Sequence, residues 1–91
     1  MIYNVVYTKK AIKSLKKIDR AQQKLIISWI EKNLVNSKNP KALGKSLKGD
    51  LKEYWRYRIG NYRILADIDH HEIKIIIFNI GLEKILIHKI P

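Results

Sequence analysis

One stretch of the chain leaves little freedom in how it folds: Glu53-Tyr54-Trp55-Arg56-Tyr57-Arg58-Ile59-Gly60-Asn61-Tyr62-Arg63-Ile64-Leu65-Ala66-Asp67-Ile68. Two alternating runs, rich in aromatic and β-branched residues, flank a Gly-Asn dipeptide. This pattern predicts a β-hairpin with a two-residue turn of the II′ kind, in which Gly60 supplies the positive φ. Such a turn fixes the register. Ile59 is expected opposite Tyr62, Arg58 opposite Arg63, Tyr57 opposite Ile64, Arg56 opposite Leu65 and Trp55 opposite Ala66. Because side chains alternate between faces, Trp55, Tyr57, Ile59, Tyr62, Ile64, Ala66 and Ile68 form a core face.

The opposite face carries Tyr54, Arg56, Arg58, Arg63, Leu65 and Asp67. Arg58 directly across from Arg63 is unfavourable, since like charges in that position repel. A solvated strand face with arginine stems covering apolar surface is the plain explanation. Three arginines on one side of a hairpin also suit bidentate recognition of phosphate, and an anion site is the stronger reading. Charge supports it. Nineteen Lys and Arg against eight Asp and Glu give +11 in 91 residues, which points to nucleic acid, a ribonucleoprotein or an acidic protein partner.

The remaining composition narrows the class. Residues 1–91 make one domain with a modest core. With no cysteine there is no disulfide framework, thiol nucleophile or Cys-based zinc site. The longest apolar run, Ile75 to Ile80, is interrupted by Asn79 and is far too short to cross a bilayer. Met1-Ile2-Tyr3-Asn4 lacks the regions of a signal peptide, so a cytoplasmic location without membrane attachment is expected.

Ahead of the hairpin, Ile2 to Tyr7 reads as a strand and Thr8 as the N-cap of a helix from Lys9 to about Ile18. Ile12, Leu15 and Ile18 keep helical spacing on one side. Asp19 followed by Gln22 resembles a capping box opening a second helix, Arg20 to about Val35, with an apolar stripe of Leu25, Ile26, Trp29, Ile30 and Leu34. The two helices are expected to form an antiparallel pair. From Lys9 to Lys24 seven basic residues stand against one acidic, which reads mainly as a solvated face. Asn39 and Pro40 open a short helical turn.

Gly44-Lys45-Ser46 is not a nucleotide-binding loop, because Asn39 stands where the pattern needs its first glycine. The segment reads as a basic linker near the arginine face. Beyond the hairpin, Ile73 to about Ile80 predicts a strand buried on both faces and ended by Gly81. An apolar tail follows. Adjacent His70 and His71 diverge in a turn without a third ligand, so no metal site is expected. The layout is an α+β domain: an N-terminal strand and a two-helix hairpin packed on an antiparallel-rich sheet.

Leu43-Gly44-Lys45-Ser46-Leu47-Lys48-Gly49, followed by Tyr54-Trp55-Arg56-Tyr57-Arg58-Ile59-Gly60-Asn61-Tyr62-Arg63-Ile64, resembles the RelE/ParE superfamily of toxins from type II toxin–antitoxin modules. The order of elements matches over essentially the whole chain. The resemblance implies a fold like that of microbial ribonucleases, needing no cofactor. RelE-type members cut mRNA in the ribosomal A site, and ParE-type members inhibit DNA gyrase. Both are held inactive by a cognate antitoxin, which often binds operator DNA, so contact with that DNA is indirect.

By position, Arg56 and Arg58 match RNA-contacting residues of the RelE branch, Arg63 the arginine near the scissile phosphate, and Lys48 a basic position in the loop before it. Lys45, Lys52 and Lys84 complete the expected RNA-binding set. The tail departs from the pattern. Active members read Gly-His-Arg-Lys, two further residues and Tyr. Here Leu82, Glu83 and Ile87 replace the histidine, arginine and tyrosine, and only Lys84 matches. Glu83 and His88 are the candidates for altered catalytic roles. Three activities are open: a ribosome-dependent mRNA endonuclease, favoured by the hairpin text; a catalytically impaired homologue that binds antitoxin or RNA; and a gyrase inhibitor.

Overall fold

The computed structural model describes residues 2–51 and 53–83. Its centre is the expected hairpin, strands β3 (Tyr54–Ile59) and β4 (Tyr62–Asp69), paired in the register read from the turn, with Arg58 opposite Arg63. Gly60 has φ +57° and Asn61 has no positive φ, the arrangement of a II′ turn. Around the hairpin the chain adds β1 (Asn4–Tyr7), α1 (Lys9–Lys16), α2 (Arg20–Asn33), β2 (Lys45–Ser46) and β5 (Lys74–Leu82). The five strands lie in the order β1-β5-β4-β3-β2. β1 runs parallel to β5, and the other pairings are antiparallel. The architecture is the α+β class read from the sequence.

Both helix starts are fixed by side-chain caps. Thr8 accepts a hydrogen bond from the Ala11 amide at 3.1 Å while its own N–H donates to the Ile77 carbonyl, so one residue ends β1 and opens α1. Asp19 accepts from the Gln22 amide at 3.4 Å. The reach-back of a capping box is replaced: Gln23, not Gln22, turns its side chain to donate to the Ile18 carbonyl at 2.6 Å.

One continuous core gathers Ala11 from α1, Ile26, Ile30 and Leu34 from and beyond α2, and Tyr57, Ile64, Ala66, Ile75, Ile77 and Ile80 from the sheet. Tyr57 is fully buried and its hydroxyl donates to the Pro40 carbonyl, so the ring buries apolar area with its polar end satisfied. Trp29 packs on it with ring centroids 5.6 Å apart.

The helical stripes are narrower than their spacing implied. Ile12 and Leu25 are exposed, and the small Ala11 takes the inward place in α1. Helix α2 ends at Asn33, Pro40 sits in a turn without helix, and the presumed linker forms edge strand β2 and a 3₁₀ turn, Gly49–Leu51. β5 is an interior strand, but full burial is confined to Ile75, Ile77, Asn79 and Ile80, and Ile76 and Phe78 are only partly covered. It also runs past Gly81. A bulge explains its pattern: Ala66 pairs with Ile77 but Leu65 with Asn79, so Phe78 is the extra residue and the buried face resumes three residues after Ile77.

Candidate functional site

The hairpin register brings Arg56, Arg58 and Arg63 to one face, and β2 adds Lys45 directly opposite Arg56. A pocket beside β2 and β3 is lined by Leu43, Gly44, Lys45, Arg56, Arg58 and Arg63. Of the expected lysines among the described residues, Lys45 enters it and Lys48 is exposed in the turn after β2; Lys52, Lys84 and His88 lie outside the described residues. Leu43 and Gly44 are the lining residues not expected from the sequence. Gly44 is required by close approach: a Cβ there would run into the Arg56 carbonyl and the Trp55 indole. Nothing in the local sequence signals this contact, since Gly44 stands between Leu43 and Lys45, well ahead of the hairpin.

The arginines differ sharply. The Arg58 side chain is 69% exposed, whereas Arg63 as a residue is only 7% exposed. Arg63 is therefore not the solvated side chain that strand alternation implied. Its Nη2 donates to Glu83 Oε1 at 2.5 Å, and its buried Nε has no hydrogen-bond partner among the described residues. Glu83 lies just past β5, where its backbone N–H donates to the Asn61 carbonyl at the hairpin turn, 3.1 Å away. Its other oxygen, Oε2, stands 3.9 Å from Arg58 Nη2. Glu83 thus bridges the Arg58–Arg63 like-charge pair. The Arg63 hydrogen bond, with the charges of Arg63, Arg58 and Arg56, holds the Glu83 carboxyl below the usual carboxylate range.

Chemically, four cations around one pocket, partly offset by one carboxylate, suit a phosphodiester. Arginine forks bind its oxygens, and fixed cations stabilise charge that grows on phosphorus in a transition state. Elsewhere, His70 is engaged through Nδ1 with the Tyr3 hydroxyl at 2.7 Å, and His71 contributes its backbone N–H to Asp69. Among the described residues no three His, Cys, Asp or Glu side chains are grouped to hold a metal, and no helix is long and apolar enough to cross a membrane.

Comparison with known proteins identifies the fold and the family. Residues 5–85 match the family model described as the ParE toxin of the type II toxin–antitoxin system parDE. The chain is 33% identical over 76 residues to Toxin RelE of Mycobacterium tuberculosis, covering 81% of this chain and 76% of that protein. The RelBE2 toxin–antitoxin complex of M. tuberculosis superimposes with a TM-score of 0.81 at 24% identity, covering 91% of this chain and 93% of its counterpart. The RelB–RelE antitoxin–toxin complex of Methanococcus jannaschii gives a TM-score of 0.65 at 30% identity, covering 94% and 99%. The fold and these matches define a RelE-like α+β toxin architecture. The chain belongs to the RelE/ParE superfamily of type II toxin–antitoxin toxins.

Proposed function

We propose that this RelE-like toxin cleaves mRNA on the translating ribosome, working as a single domain, with the phosphodiester held at Lys45, Arg56, Arg58 and Arg63. The observation that carries the reading is the convergence of these four side chains on one pocket. RNA brings its own nucleophile in the 2′-hydroxyl, so a site that aligns the phosphate and stabilises its developing charge supplies a large part of the catalysis. Lys48, exposed after β2, adds a cation for the strand, and Lys52 and Lys84, outside the described residues, stay in the proposed RNA-binding set. A cognate antitoxin is the expected protein partner, since similar toxins are seen in complex with theirs, and operator DNA is reached through it.

The test is inducible expression in bacteria with mapping of mRNA 5′ ends. Arg58 is the residue to change, because its exposed side chain can be removed without opening the core. Cuts within translated codons are expected from the unmodified toxin, reduced roughly 10²-fold or more in Arg58→Ala. The match to the ParE family model favours a second reading, inhibition of DNA gyrase. Growth arrest with intact mRNA and impaired supercoiling would select it.

A further inference from the structure

A cluster of arginines and a lysine can hold a phosphate, but guanidinium groups stay protonated and cannot take a proton from a 2′-hydroxyl at neutral pH. Cleavage needs an acceptor close by. Glu83 is placed to be one. Its backbone is anchored to the hairpin turn through Asn61, and Oε1 is tethered to Arg63. Oε2 lies 3.9 Å from Arg58, beyond hydrogen-bond distance, on a side chain 32% exposed. One oxygen is therefore fixed, and the other, on the side of the exposed arginine, makes no hydrogen bond among the described residues.

We infer that Glu83 is the general base of this site, receiving the 2′-hydroxyl proton on Oε2. The inference rests on the RNA-cleaving reading above and names the group which that reading lacks. In the step, the O2′–H bond breaks and its proton passes to the carboxylate. The O2′–P bond forms and the P–O5′ bond breaks. O5′ takes a proton from solvent water, and Glu83 later returns its own to solvent. The products are a 2′,3′-cyclic phosphate and a 5′-hydroxyl.

Among the described residues the charged groups acting on Glu83 are Arg63 from β4 and Arg58 and Arg56 from β3, the three arginines that also line the pocket. They keep the carboxylate ionised at neutral pH, the form that accepts a proton. A phosphate entering the pocket shares the Arg63 fork, which weakens its hold on Glu83 and makes the carboxylate a better base as the substrate arrives.

The experiment uses the full chain in a reconstituted translation system, comparing wild type with Glu83→Gln. Binding is measured separately on ribosomes carrying mRNA with a 2′-deoxynucleotide at the cut position. Gln still accepts from Arg63 but cannot take the proton. Expected are a roughly 10²–10⁴-fold lower cleavage rate, binding of the deoxy mRNA no weaker than wild type, and loss of the acid limb from the pH–rate profile. Wild-type rates in the Gln variant, or faster cleavage with tighter binding, would overturn the inference while leaving the RNA reading intact. Parallel loss of binding and cleavage would make Glu83 structural. A folded wild-type toxin that cuts no mRNA would remove the underlying reading and the inference with it.

Discussion

Arg63 and Glu83 define each other. An arginine this buried needs a partner, and Glu83 supplies one from the far end of β5. The pairing makes stability depend on pH with a definite sign. Glu83 has a folded pKa below its ordinary value of 4.5, so its contribution is present above that value and fades as the pH falls through the folded one. Denaturant titrations should therefore show wild type more stable than Glu83→Gln at neutral pH, with the gap closing in acid. Asp69, held low by the Glu72 amide, loses its share as the pH falls below its own ordinary value of 3.8, in both proteins alike. The sequence exposed the conflict between Arg58 and Arg63 but not its resolution. That required knowing that β5 returns beside β4 and delivers Glu83 to the hairpin turn.

Among the elements, the hairpin was legible down to individual pairs because a two-residue turn leaves one register. The helix starts were legible for a related reason: Thr8 and Asp19 cap through local geometry. Thr8→Ala should lower stability by about 1 kcal/mol in urea unfolding, through loss of the cap and of the hydroxyl's 3.4 Å bond to the Phe78 carbonyl, while the backbone bond to Ile77 survives. What escaped depends on neighbours distant in sequence. β2 is two residues long and becomes a strand only by pairing with β3. The bulge at Phe78 resets which side of β5 is buried, and no period-2 pattern anticipates it. Ile12 and Leu25 satisfy helical spacing, yet the core closes on Ala11 and Ile26 instead.

For the whole molecule, +11 of net charge draws polyanions from a distance, and the pocket decides where a phosphate settles. Four pocket cations imply a salt dependence for single-stranded RNA binding of about −3 in log K against log salt, and Arg58→Ala should reduce the slope by about 0.7. A markedly steeper wild-type slope would assign phosphate contacts to the lysines of α1 and α2 as well. Binding isotherms at several salt concentrations give both values.

The parallel pairing of β1 with β5 joins Asn4 to Lys74 and Tyr7 to Ile77. During synthesis the first strand emerges long before its neighbour exists, and it must wait for nearly the whole domain before it can be paired. Closing so long a loop delays folding relative to the local hairpin. The arginines of the hairpin can thus be aligned early, while Glu83 joins them only once β5 has been made. A ribosome producing this toxin therefore carries it as an unfinished sheet for most of the time it takes to make.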